Sequence, residues 1–403
     1  MKKILAMLLA LVMVLSLAAC GGAPAEPAAT DAPAAPAAPA EPAAPAATDA
    51  PAVEYKVAMV TDYGDITDQS FNQTTYEACK AFAEANGVDF TYYKPAGDSD
   101  AERVAMIEKA VDEGYNVIVL PGFAFAAAIA QAAPAYPDVK FIALDVAEFD
   151  LLSAGLTAET MTNVYSAVYQ EELSGYMAGY AAVKLGYTKL GFLGGMAVPA
   201  VQKFGYGFVQ GADAAAKELN ITVDINYVYG GLFYGTADFT ARMDTWYANG
   251  TEVVFACGGG IYTSAVDAAK KVEGAKVIGV DVDQAGVIAN YAGDADTSLT
   301  VTSAMKGLYP TTVDTLTDVI INGNWEKYSG KVATLGLVSG DDPTANYVQI
   351  PMESTQWSDT FTQDDYKALV KGMFDGTIVV SADVSAEPVV TNANVDYQGQ
   401  IVG

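Results

Sequence analysis

The 403-residue chain contains no histidine. That removes the commonest general base and the commonest metal ligand. A Ser-His-Asp triad, a Cys-His pair and any His-containing zinc site are therefore excluded. Cysteine is scarce too, at three residues. Positive charge is in short supply: 21 Lys and Arg face 49 Asp and Glu, a formal net charge of −28. Such a surface repels phosphate backbones, so no nucleic-acid partner is expected. The opening apolar run, Ile4 to Val14, is too short for a comfortable membrane span.

That run follows Lys2 and Lys3 and leads into Leu17-Ala18-Ala19-Cys20. A charged start, a short apolar core and small residues before a cleavage point read as a signal peptide over residues 1–20. The Cys directly after the small residues resembles the bacterial lipobox, which makes Cys20 the expected lipidation site. Residues 21–52 are almost wholly Ala, Pro, Gly, Asp, Glu and Thr. Frequent Pro blocks helix and favours extended chain, so this segment reads as a tether of up to ~100 Å. The membrane is then a partner through a lipid, not through a spanning helix.

Residues 53–403 alternate short apolar runs with amphipathic stretches. Val57–Val60, Val88–Tyr93, Val117–Leu120 and Lys140–Leu144 read as strands, with helices over Ser70–Ala85, Asp100–Glu113 and Ala124–Ala133. The pattern restarts at Lys189–Leu193, with a helix over Phe204–Leu219 and strands at Thr222–Val228, Glu252–Phe255 and Lys276–Val280. The spacing repeats: Lys56 to Val117 is 61 residues and Lys189 to Val253 is 64. Continuous apolar strands joined by helices imply parallel sheets covered on both faces. The expectation is an α/β protein of two lobes, each a parallel sheet flanked by helices. Lobe one takes about 53–165 plus a later return segment; lobe two takes about 166–300 plus C-terminal segments.

Ligands of open parallel sheets sit beyond the carboxyl ends of the strands, so every βα loop is a candidate cleft wall. Phe71 lies eleven residues beyond Val60, and Phe204 eleven beyond Leu193. Two rings at matching places can sandwich a flat group, with stacking worth roughly 1 kcal/mol or more; each ring singly also fits helix-to-sheet packing. Asp62 directly follows a strand, where a carboxylate accepts N–H or O–H donors. Asp65 and Asp68 read as helix caps together with Ser70; a calcium site is the alternative, but the close run of acids it requires is missing. Gly122 and Gly258-Gly259-Gly260 end equivalent strands and admit a ligand to the backbone, or simply make turns. Asp281 and Lys306 suit vicinal hydroxyls, one accepting and the other donating; a salt bridge is the plain alternative. Cys79 and Cys257 read as buried structural residues.

Taken in order, several segments resemble the basic membrane protein family of nucleoside-binding lipoproteins. They are Asp68-Gln69-Ser70-Phe71-Asn72, Glu172–Gly179, Gly191–Met196, Lys203-Phe204 with Gly207-Phe208, and Val277–Gln284. The resemblance covers about residues 55–380 and implies the periplasmic-binding-protein type I fold. It also implies a base held between Phe71 and Phe204, with Asp62 and Asn72 at its edge. Gly259, Asp281 and Lys306 would hold the ribose. The sequence departs from that family at Tyr63, at Thr67-Asp68-Gln69 and at Ile261-Tyr262-Thr263. The function expected is capture of a nucleoside, a purine in first place, for the permease subunits of an ABC importer. No enzymatic activity, cofactor or metal is expected, and the chain is expected to be a monomer. A sugar receptor, a nucleoside hydrolase acting through Asp62, Asp65 and Asp68, and a surface interaction protein are the alternatives.

Overall fold

The computed structural model describes residues 54–62, 64–293 and 297–402. Residues 1–52, Cys20 included, lie outside this description, as does Tyr63.

The first stretch of chain runs β1 (Lys56–Val60), α1 (Phe71–Asn86), β2 (Asp89–Tyr93), α2 (Asp100–Asp112) and β3 (Val117–Pro121). It continues with α3 (Ala126–Ala135), β4 (Lys140–Leu144), α4 (Glu148–Ser153) and β5 (Val164–Tyr169). The second comprises α5 (Glu171–Lys184), β6 (Lys189–Gly194), α6 (Pro199–Leu219), β7 (Val223–Tyr229) and α7 (Ala237–Ala248). After these come β8 (Val253–Cys257), α8 (Tyr262–Ala269), β9 (Lys276–Asp281), α9 (Ala285–Ala292) and β10 (Thr300–Lys306). The last stretch holds α10 (Leu308–Leu316), β11 (Lys331–Leu335), β12 (Val348–Gln349), α11 (Gln363–Phe374) and β13 (Ala393–Gln400).

Two sheets result, in the orders β11-β5-β4-β3-β1-β2 and β12-β10-β9-β8-β6-β7-β13. All pairs are parallel except β10 with β12. The central strands β3 and β8 are buried at every position, as continuous apolar runs require when helices cover both faces. Apolar clusters flank the first sheet on both sides and the second likewise. The chain passes between the sheets after β5, after β10 and after β11.

Helices α5 and α6 cross at backbone distance. A Cβ on Gly175 would come within 2.1 Å of the Phe204 carbonyl oxygen, and one on Gly207 within 2.1 Å of that of Glu172. Gly179 and Gly211 repeat this one turn along. The crossing fixes Glu171, at the start of α5, beside the N-terminal half of α6.

The helix α6 begins at Pro199, earlier than the expected Phe204, because Pro is well suited to the first turn. Lys306 is the last residue of β10. The last residue of β9, Asp281, and the residue after β4, Asp145, both adopt left-handed backbone, at φ 66° and 62°. Neither is glycine, so each conformation costs about 1 kcal/mol. The cost falls on the two carboxylates that meet at the site.

Candidate ligand-binding site

The carboxyl ends of both sheets open onto one cavity of about 780 Å³. Its lining includes Asp62, Phe71, Asn72 and Gly122 from the first lobe and Gly259, Asp281 and Lys306 from the second. Phe204 stands differently. It is only 2% exposed, and its ring packs edge-on against Phe255 with centroids 6.1 Å apart. It meets the site through Lys306, whose ammonium lies 5.7 Å from its ring centre and 4.7 Å from that of Phe71.

At one end, Asp62 is buried beneath the loop that follows β1. Its Oδ1 accepts from the Gly64 N–H at 2.6 Å and from Asn72 Nδ2 at 3.3 Å. Burial pushes the Asp62 carboxyl up to about 6, against the pull of those two donors. Gly122 makes room for it, since a Cβ there would lie 2.6 Å from Asp62 Oδ2. Asn72 also donates to Asp68 at 3.2 Å. Its Oδ1 is buried and, among the described residues, has no hydrogen-bond partner.

At the other end, Lys306 lies among three carboxylates: Asp145 at 2.5 Å, Glu171 at 3.7 Å and Asp281 at 3.8 Å. Burial works against the ammonium, but Asp145, Asp281 and Glu171 outweigh it and hold its pKa above the usual lysine value. Burial raises the Asp281 and Glu171 carboxyls, and Lys306 opposes the rise in both. Lys203 lies 3.5 Å from Glu171 and donates to the Tyr169 carbonyl at 3.1 Å. Asp145 Oδ1 is buried with no hydrogen-bond partner among the described residues.

The lobes touch at this end. Ser70 Oγ donates to Asp281 Oδ2 at 2.6 Å, and Gln284 Nε2 to the Gln69 carbonyl at 3.0 Å. Ser70 therefore does not cap α1; its side chain makes no cap bond there. Asp68 alone caps, accepting from the backbone N–H groups of Ser70, Asn72 and Gln73 at 2.9, 2.9 and 3.1 Å. Asp65 does not cap either; it holds Thr67 and the Lys94 ammonium, the latter at 2.6 Å. Each of the three loop acids thus spends oxygens on donors of the chain itself. Among the described residues no group of three or more Cys, Asp or Glu is arranged to hold a metal. Cys79 and Cys257 are buried free thiols, both pushed up by burial.

Asp145, Glu171, Lys203 and Phe233 also line the cavity; none is among the site residues expected from sequence, although Lys203 stands in the Lys203-Phe204 motif. Asp145 was signalled by the matched strand ends, Phe141–Asp145 beside Val277–Asp281. Glu171 stands next to the Glu172–Gly179 motif. Nothing in the sequence pattern pointed to Phe233.

The architecture is that of solute-binding proteins of the periplasmic-binding-protein type I fold. An ABC transporter solute-binding protein from Aeropyrum pernix superposes with a TM-score of 0.63 over 81% of this chain and 87% of that one, at 21% identity. A second, from Conexibacter woesei, gives 0.60 over 81% and 99%, at 22% identity. Residues 55–368 match the family model of the PnrA-like ABC transporter substrate-binding proteins, and the chain belongs to that family. Among curated relatives, the ABC transporter nucleoside-binding protein BmpA of Lactococcus lactis is 30% identical over 300 residues, 71% of this chain and 80% of that protein. Basic membrane protein A of Borreliella burgdorferi is 29% identical over 57% of this chain and 64% of its own length. A lipoprotein of Pyrococcus furiosus is 26% identical over 78% and 77%. The protein is thus an ABC transporter substrate-binding protein. Among the described residues no helix is long and apolar enough to cross a membrane.

Proposed function

We propose that the protein captures a nucleoside, with purines preferred, outside the cell and delivers it to the permease subunits of an ABC importer, without chemistry of its own. Two buried oxygens carry this reading: Asn72 Oδ1 and Asp145 Oδ1, in residues of one cavity, lack donors from the described chain. Buried acceptors of that kind cost free energy until a donor arrives. A nucleoside brings N–H groups on its base and O–H groups on its ribose, so one molecule satisfies both kinds of need. Lys306 and Asp281 add a donor and an acceptor for the vicinal hydroxyls. The half-buried Phe71 ring gives the base an apolar face to lie against.

Calorimetry with guanosine, 2′-deoxyguanosine and guanine tests this. Guanosine should bind most tightly, the deoxy form less so, and the free base far more weakly. Equal affinity for all three removes the role given to Asp281 and Lys306.

The same proposal anchors the protein by a lipid on Cys20, at the end of an Ala/Pro-rich tether. Cys20→Ala should shift the protein from the membrane to the soluble fraction or block its processing. Wild-type protein found wholly soluble contradicts the anchor.

A further inference from the structure

The chain runs on past residues 55–368, the stretch that matches the family model, and adds the strand β13. This strand lies at the edge of the second sheet, parallel to β7. It is tied to the helices on either side of β7 in sequence. On α6, Asp213 Oδ1 accepts from the backbone N–H groups of Thr391 at 2.8 Å and Ala393 at 3.0 Å. On α7, Arg242 Nη1 and Trp246 Nε1 donate to Gln398 Oε1 at 2.7 and 3.2 Å. Tyr397 pairs with Tyr227 but Gln400 with Tyr229, three steps on β13 against two on β7. Gly399 takes up this bulge at φ 68°, a left-handed backbone that glycine adopts freely.

Past the bulge the contact outlasts the strand. β7 ends at Tyr229. Ile401 N–H donates to the Tyr229 carbonyl at 2.9 Å, and Val402 N–H to that of Gly230 at 3.0 Å. On their other side, the N–H groups of Gly230 and Gly231 donate to the carbonyls of Gly194 and Gly195 at 2.7 and 3.0 Å. Two successive glycines make the most permissive joint a loop can have. Gly231 stands at φ 97°, and a Cβ on it would run into the Val402 carbonyl oxygen. Directly after this joint, the loop from Leu232 to Gly235 lines the cavity. A strand that only covered the sheet edge would need no bond to Gly230.

We propose that Ile401 and Val402 are positioning residues of the ligand site: their N–H groups lock the Gly230-Gly231 joint, and with it the cavity wall that follows. Neither residue lines the cavity, so each acts on a ligand only through that wall. Without the lock the loop samples other shapes, and a ligand must order it on binding. With the lock that ordering is already done. The proposal holds for whatever ligand the cavity takes, and it rests on the nucleoside reading only for the choice of guanosine as titrant.

Val402→Pro removes one N–H donor, whereas Val402→Ala keeps it and trims the side chain. The test is titration of guanosine into wild type, both variants and a chain ending at Gln398. Thermal unfolding and hydrogen exchange of residues 229–236 are followed in each. Val402→Pro should lose about three- to tenfold in affinity, and the shortened chain about tenfold or more. Exchange at residues 230–235 should speed up in both without ligand and return to the wild-type rate at saturation. Val402→Ala should bind and exchange like wild type. If the shortened chain loses its fold, the comparison of Val402→Pro with Val402→Ala decides alone. Val402→Pro with wild-type affinity and exchange overturns the lock. Equal losses in Val402→Pro and Val402→Ala overturn it too, because side-chain packing is then what matters. Wild type that does not bind guanosine overturns the nucleoside reading, while the exchange rates still decide the lock.

Discussion

Asp62 shows how a single residue is tuned for binding at the expense of the fold. Its carboxyl titrates at about 6 because burial disfavours the charged form. In the unfolded chain it titrates near 3.9. Between those values the folded state binds more protons, so its contribution to stability is largest at low pH and is lost as pH rises through 6. Above that pH the buried charge costs about 2–3 kcal/mol, from roughly two pK units at 1.36 kcal/mol each. Asp62→Asn keeps an oxygen for Gly64 and Asn72 and carries no charge. Its melting temperature should exceed that of wild type at pH 7.5, and the two should converge near pH 4. Its nucleoside affinity should fall at pH 7.5. A gap in melting temperature that does not change with pH would show that the charge is not what costs stability.

Among elements, the α5–α6 crossing matters most to the site, because α5 opens with Glu171 and the N-terminal half of α6 carries Lys203 and Phe204. The four glycines let each backbone touch the other, so there is no slack for a side chain. Gly207→Leu should destabilise the protein by at least the ~1–3 kcal/mol of a typical overpacked core site. Chemical denaturation measures this, and unchanged stability would mean that the helices separate without penalty. This packing was only partly legible. The motifs Glu172–Gly179 and Gly207-Phe208 are visible in the sequence, but not that they face each other. The repeated strand-helix pattern exposed β1 to β4 and β6 to β9, because continuous apolar runs announce buried parallel strands. It did not expose β11, β12 or β13. The first has a half-exposed pattern, the second is two residues long, and the third is an edge strand with exposed positions. Asp145 was missed for another reason: the matched strand ends read as repetition of fold, and Asp adopts left-handed backbone too seldom for its presence alone to announce that conformation.

At the scale of the whole molecule, three crossings of the chain and a set of polar ties join the two lobes. Lys306 to Asp145, Ser70 to Asp281 and Gln284 to Gln69 all join residues of different lobes. Each tie exchanges contacts with water for contacts with protein, so its net worth is small, about 1 kcal/mol for a neutral bond and somewhat more where a charge takes part. A ligand that binds only between closed lobes then shifts the population toward the closed form. The Ser70 hydroxyl is a direct probe. Among the described residues the one hydrogen-bond partner of its hydroxyl is Asp281 in the other lobe, so Ser70→Ala acts on the closed form. There it leaves a buried carboxylate short of a donor, at a cost of roughly 1–2 kcal/mol. When the lobes part, water replaces the hydroxyl and the cost disappears. Ser70→Ala should thus weaken nucleoside affinity about tenfold, with the loss in the closed complex and not in melting temperature without ligand. Small-angle X-ray scattering should show the ligand-free variant more expanded than wild type, and saturating guanosine should bring both to one radius of gyration. Ligand-free variant and wild type with identical scattering, at unequal affinity, would place the effect of Ser70 in the ligand contact and not in closure.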